Sequence, residues 1–306
     1  MRFRLLIFGL MATLLIGCSL YDERDECCAQ ITFHFQEMIS GSDCFNNDIY
    51  SLRHFLYDAE GQFLKEVYSD HDDMQNLRLN ELQDGNYTLV TLANSSEEHT
   101  LIETATSLDK MRVSLIGENE DGSFQSADQL YWNIQNFMVV KELQQYYKCD
   151  LSNIHCHLHV FVKWKYLPSY KGSFVMKLTK VPADYHGGKA YIMTRNIDYY
   201  FPMETQRKVY HSIEVKPYNF ELDGEFITHR WSDDNIPILQ LFNNGEAITG
   251  KIYLEKPFKE WMWMPSKQPI QDYWIKLEID SDGKTYVNRW IPGRILDWED
   301  GGVIGR

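Results

Sequence analysis

Three histidines at alternate positions, His155, His157 and His159, are the residues whose type and spacing come nearest to a chemical site. Alternate side chains of a β-strand point to one side, and a His-x-His pair can share a metal ion. The residues between and beyond them, Ile154, Cys156, Leu158, Val160, Val162 and Trp164, form one apolar face, so the segment reads as a half-buried strand with the histidines on its wet side. Spacing alone identifies no further ligand, and solvation accounts for the three rings without a metal. Asp280-Ser281-Asp282-Gly283 opens like a calcium loop, but Ile291 stands at the twelfth position, where such a loop needs glutamate. A hairpin turn is the simpler reading. Asp233 and Asp234 have no visible partner for acid and base work. The chain has no Gly-x-Ser-x-Gly, His-Glu-x-x-His, phosphate loop or dinucleotide fingerprint. The expectation is a protein that binds, with no catalysis and no cofactor.

Covalent chemistry is expected instead near the start, at Leu15-Ile16-Gly17-Cys18. Arg2 and Arg4 precede an apolar run from Leu5 to Ile16, the charged-then-apolar layout of a bacterial export signal. The run is about a dozen residues, too short for a membrane span of about 20. Small Gly17 ahead of Cys18 fits a lipobox, in which cleavage leaves Cys18 as the first residue, its sulfur linked to diacylglycerol. Residues 1–17 are then a signal peptide and 18–29 a lipidated tether. The tether carries Asp22, Glu23, Asp25 and Glu26 and has no apolar period, so it reads as extended chain. This acidic run resembles the surface-export signals of Bacteroidota lipoproteins; a solvated spacer is the alternative.

Apolar residues make up 44% and aromatic ones 14% of the chain, which excludes a disordered protein. The net charge of −14 repels nucleic acid and anionic lipid head groups, leaving the lipid to hold the protein at the membrane. Beyond Cys18 there remain Cys27, Cys28, Cys44, Cys149 and Cys156, too few for a dense disulfide framework. One bridge is expected, from Cys27 or Cys28 to Cys44. Closing a loop of about 16 residues would stabilise by roughly 3 kcal/mol in the chain-entropy model. Cys156, on an apolar face, is expected to stay reduced.

Short alternating segments dominate: Ile31–Gln36, Ser51–Tyr57, Gln62–Tyr68, Leu77–Leu79, Asn86–Val90, Ile154–Trp164, Ser173–Thr179, Lys189–Met193, Gly250–Leu254, Tyr273–Ile279 and Thr285–Ile291. Acid-then-glycine turns are expected at Asp58–Gly61, Glu120–Phe124, Leu222–Phe226 and Asp280–Gly283. Thr100–Ile116 reads as a helical or irregular crossover with Ser107 as N-cap, and the polar stretch after Val140 as a linker. The fold class is therefore all-β, two antiparallel β-sandwich domains over 30–149 and 150–306. Trp261, Trp263 and the other C-terminal indoles read as core filling, with sugar stacking as the alternative.

In order along the chain, the lipobox, the acidic tether ending in Cys27, the strand Ile31–Phe35, Leu56-Tyr57-Asp58-Ala59-Glu60-Gly61 with Phe63, Leu82–Tyr87, Asp128-Gln129-Leu130-Tyr131-Trp132, the strand around Val160 and Leu178-Thr179-Lys180-Val181-Pro182 resemble the FimB-like fimbrial-anchor lipoproteins of Bacteroidota, the anchor subunits of type V pili. The resemblance implies transthyretin-like sandwiches and an outer-membrane, surface-exposed location. It also implies fimbrillin shaft subunits as partners and a role in tethering fimbriae and limiting their length. Strand addition at a sheet edge is the joint such a role needs, and Arg294, Ile295, Leu296 and Trp298 near the C-terminus are the candidate partner-binding strand. The alternative class is a surface glycan-binding lipoprotein of a polysaccharide-uptake system. Replacing Cys18 with alanine should abolish acylation, read by mass spectrometry of the mature N-terminus; an acyl label or membrane fraction unchanged in Cys18→Ala would overturn the lipobox reading.

Overall fold

The computed structural model describes residues 29–36, 41–69, 72–124, 126–141, 143–165, 171–186, 207–216 and 221–291. The lipobox, Cys27, Cys28, the expected strand at Lys189–Met193 and the segment Arg294–Trp298 lie outside them.

The first sandwich is built from β1 (Ala29–His34), β2 (Leu52–Tyr57), β3 (Phe63–Val67), β4 (Asn76–Leu79), β5 (Gly85–Ala93), β6 (Thr100–Glu103), β7 (Arg112–Leu115), β8 (Tyr131–Val139), β9 (Gln145–Asp150) and β10 (Ser152–Asn153). The order β4-β1-β9 faces β10-β8-β5-β2-β3. Ile31, Phe33, Leu56, Leu89 and Cys149 meet between them, fully buried. The second sandwich contains β11 (His155–Trp164), β12 (Phe174–Pro182), β13 (Asp184–His186), β14 (Lys208–Val215), β15 (Glu221–His229), β16 (Ile238–Asn243), β17 (Glu246–Ala247), β18 (Ile252–Tyr253), β19 (Gln271–Ile279) and β20 (Thr285–Arg289). The order β15-β11-β19-β20 faces β14-β12-β16-β17, with β18 also on β16. Leu158, Val160, Val162, Leu178, Leu222 and Ile275 fill its core. In each sandwich the opening strand lies between an antiparallel neighbour and a parallel one that comes late in the domain. These neighbours are β4 and β9 for β1, and β15 and β19 for β11.

The structure corrects three local expectations. Thr100–Ile116 is a hairpin, β6 and β7, joined by a 3-10 turn over Leu108–Lys110. Ser107 precedes that turn without a capping side-chain bond. The polar stretch before Asp150 is β9, paired in parallel with β1. Its alternation is carried by Gln145, Tyr147 and Cys149, so it is hard to see in a hydropathy profile. Leu222–Phe226 is the middle of β15 and makes no turn; Gly224 pairs with Val160. That glycine is required by packing: a Cβ there would stand 2.8 Å from Ile213 Cδ1 and 3.0 Å from Met176 Sδ of the facing sheet. Asp58–Gly61 and Asp280–Gly283 do form turns, with φ of 73° at Gly61 and 74° at Gly283.

The chain passes from one sandwich to the other at Ile154, whose N–H donates to the Leu130 carbonyl at 3.0 Å. Several cross-links make the passage a shared structure. β13, from the second half, pairs with β7 and completes the sheet β13-β7-β6. Phe124 bonds both ways with β14, accepting from Ser212 N–H and donating to the Tyr210 carbonyl. Buried Asp184 sits between Arg112 Nη2 at 2.8 Å and Arg207 Nη2 at 3.1 Å. Burial alone would raise its pKa, but the hydrogen bond from Arg112 and the charges of both guanidinium groups hold it below the usual carboxylate range. Fully buried Arg230 donates to the carbonyls of Asn153 (3.3 Å), Pro269 (2.9 Å) and Pro265 (3.3 Å), binding the passage between the sandwiches and the loop before β19 to one guanidinium. Its backbone N–H donates to Tyr185 Oη at 2.7 Å, and that hydroxyl donates to the Ile154 carbonyl. A methionine would fill much of the same space but take the guanidinium donor from the Asn153 and Pro269 carbonyls, while Pro265 would keep Gln271 Nε2 at 2.9 Å. Arg230→Met should therefore cost about 3 kcal/mol or more, at roughly 1.5–3 kcal/mol for each charge-assisted bond, read as a lower urea midpoint.

Candidate functional site

Strand addition needs an edge strand with one unpaired side, and in the second sandwich β20, paired with β19 alone among the described residues, is such a strand. Register fixes which groups it presents. Trp290 N–H donates to the Trp274 carbonyl and Asp280 N–H to the Lys284 carbonyl, so the even residues of β20 face β19. Thr285, Val287 and Arg289 then turn their N–H and C=O outward. Among the described residues no strand pairs with that side. Beside it runs a groove of about 570 Å³ lined by Ile252, Tyr253, Pro257, Thr285, Tyr286 and Val287 among others. The groove separates β20 in one sheet from β18 in the other, so side chains of an added strand would enter between the layers.

On the outer face of the same sheet, register also gathers the alternate histidines. β11 lies between β15 and β19, with Glu225 opposite His159 and Asp272 opposite His157. His157 Nδ1 is 2.6 Å from Glu225 Oε1, while His159 Nε2 is 3.7 Å from that atom and 3.3 Å from Asp272 Oδ1. The His159 ring stacks on Trp274 with centroids 3.6 Å apart and planes at 12°. Both histidines are half-buried, with side-chain exposures of 19% and 17%. Burial alone would raise the Asp272 pKa, yet the hydrogen bond from His159 and the coulombic influence of both rings bring it below the ordinary value. His155 departs from the expected wet face. It is buried beneath the first domain, bonded through Nδ1 to the Leu130 carbonyl at 2.9 Å and edge-on to Tyr131.

The other candidates take structural places. Asp280 accepts backbone N–H bonds from Asp282 and Lys284 and closes the β19–β20 hairpin. Asp233 bonds both ways with Ser266, and Asp234 is exposed. Trp231 is core, and Trp261 and Trp263 pack on the core at Phe258. Trp274 and Trp290 meet edge to face at 68°, so these two make no flat platform for a sugar ring. Cys44 is half-buried and free, and its expected partners lie outside the described residues. Cys149 and Cys156 are free as well, and burial pushes both thiols up.

Two linked β-sandwiches of this topology are the fold of known fimbrial-anchor and adhesin-like surface proteins. The fimbrial anchor protein Mfa2 of Porphyromonas gingivalis has it, at 13% identity over 87% of this chain and 98% of its own, with a TM-score of 0.62. So do two proteins of Bacteroides thetaiotaomicron VPI-5482. One is described as a candidate adhesin (14% identity, 88% of this chain and 98% of its own, TM-score 0.66). The other is described as a candidate polysaccharide-binding protein (13% identity, 87% and 99%, TM-score 0.63). No curated protein sequence matches the chain. The model of the family "Fimbrillin-A associated anchor proteins Mfa1 and Mfa2" matches residues 24–237, and the chain belongs to that family.

The buried histidines give the fold a pH dependence. Desolvation lowers His54, His155 and His229 from 6.5 to about 3. Each is neutral in the folded protein and protonated when unfolded between those values, so stability falls as pH drops below about 6.5. Between pH 6 and 5 the unfolding free energy should fall with a slope approaching three protons, roughly 4 kcal/mol per unit. Denaturation curves measured across that interval would show it; a flat profile from pH 7 to 5 would contradict it.

Proposed function

We propose that this protein anchors fimbriae at the outer membrane by strand addition and limits their length, with no catalytic step. The outer edge of β20, unpaired among the described residues, and its groove carry the reading, because they join unpaired backbone groups to an opening between the sheets. An incoming strand would bond to the outward groups of Thr285, Val287 and Arg289 and seat alternate side chains in the groove. Many shallow contacts then sum to a durable joint. The candidate segment Arg294, Ile295, Leu296 and Trp298 follows β20 in the chain, and its Ile295, Leu296 and Trp298 would supply apolar anchors.

Membership of the anchor family supports fimbrial subunits as the partners and the cell envelope as the location. No helix among the described residues is long and apolar enough to cross a membrane, and a diacylglycerol on Cys18 would supply the attachment.

Val287→Pro tests the joint. It removes an N–H that points away from β19, and proline is tolerated on an edge strand. The variant should fold, carry lipid and release its fimbriae into the medium or alter their length. Deleting the residues after Pro292 should do the same if that segment supplies anchors. Normal fimbriae on cells carrying Val287→Pro would refute the β20 edge as the joint.

A further inference from the structure

Nothing in the anchoring role uses the cluster on the outer face of the second sandwich, and its donor set is that of a transition-metal site. We propose that His157, His159 and Glu225, with Asp272 beside them, bind a divalent ion of the zinc type.

The first argument is geometric. One ligand atom from each of His157, His159 and Glu225 lies within 4.8 Å of the others. A tetrahedral zinc ion with bonds of about 2.0–2.2 Å requires its ligand atoms to stand about 3.3–3.6 Å apart. His159 Nε2 is 3.3 Å from Asp272 Oδ1 and 3.7 Å from Glu225 Oε1. The 2.6 Å contact between His157 Nδ1 and Glu225 Oε1 is a hydrogen bond, which a shift of under one ångström in the exposed glutamate, rated against that tetrahedral spacing, would open.

The second argument is preorganisation. The ligands come from three adjacent, register-locked strands, β15, β11 and β19. Trp274 stacks on the His159 ring, and His157, on the same face of β11, stacks on it at 6.0 Å and is itself edge-on to His155 at 5.0 Å. The carboxylates are about half exposed, which gives an ion a way in and room for a water.

The third argument is chemical. Two carboxylates, Glu225 and Asp272, approach these two imidazoles on one face of the sheet. Two imidazoles and two carboxylates suit zinc, and they differ from the all-oxygen sets of calcium and magnesium. An ion there would clamp the three strands across their outer face, beside the sheet that offers β20.

The test uses tag-free protein from residue 19 onward, metal-stripped, with zinc chloride and cobalt chloride as probes. Calorimetry should give one zinc per chain, and zinc should raise the melting temperature. His159→Gln and Glu225→Gln should keep the metal-free urea midpoint while weakening zinc by at least about tenfold, the lower end of what even outer-shell partners are worth. Cobalt should quench tryptophan fluorescence in the parent protein, and Trp274→Phe should lose most of that quenching while still binding. Failure of the parent to bind zinc, or equal zinc affinity in the parent and Glu225→Gln, would overturn the proposal. Magnesium or calcium competing at the same concentration as zinc would overturn the choice of ion class.

Discussion

A single buried guanidinium organises the joint between the two sandwiches. Arg230 follows the end of β15, and its three carbonyl acceptors come from two places, Asn153 in the passage between the sandwiches and Pro265 and Pro269 in the loop before β19. Taking a cation out of water costs several kcal/mol unless its donors are used, so the arrangement demands that Asn153, Pro265 and Pro269 arrive together. The backbone of Arg230 extends the same logic through Tyr185 to Ile154, and Tyr185 belongs to the strand that crosses over to pair with β7. The two domains thus share a polar centre as well as a sheet. A load applied to one is passed to the other through bonds that have no solvent to compete with them.

Around that joint the division of labour is clear. The first sandwich connects to whatever holds the chain at its N-terminal end. The second keeps an unpaired edge and, on its outer face, an ordered row of histidine and indole rings. Both features arise from one sheet, β15-β11-β19-β20. Its inner face is closed by Leu158, Val160 and Ile275. Among the described residues no strand pairs with the far side of β20.

Much of this sheet was legible in the sequence because β11 alternates without interruption from Ile154 to Trp164 and the Asp280–Gly283 turn fixes the final hairpin. Less visible was β9, whose inward side chains are glutamine, tyrosine and cysteine. Gly224 was read as a turn because Asp-Gly between apolar residues usually is one; here close approach of the facing sheet explains the glycine. The histidines were visible, but Glu225 and Asp272 were not. Their proximity depends on which strands flank β11 and in what register, a long-range property that no local spacing encodes. His155 failed for a related reason. Its parity was read correctly, but the first domain covers that end of the strand.

The placement of β1 has a mechanical consequence. It is the first described strand, it runs directly out of the segment that leads to Cys18, and it is bonded on both sides, antiparallel to β4 over Ala29–Thr32 and parallel to β9 over Ala29–His34. A pull from the N-terminal side acts along the axis of β1. Peeling from an edge would break bonds one at a time, whereas this geometry loads two ladders in shear, so their bonds share the force and must fail together. Traction applied from the N-terminal side would be resisted where the chain enters the fold.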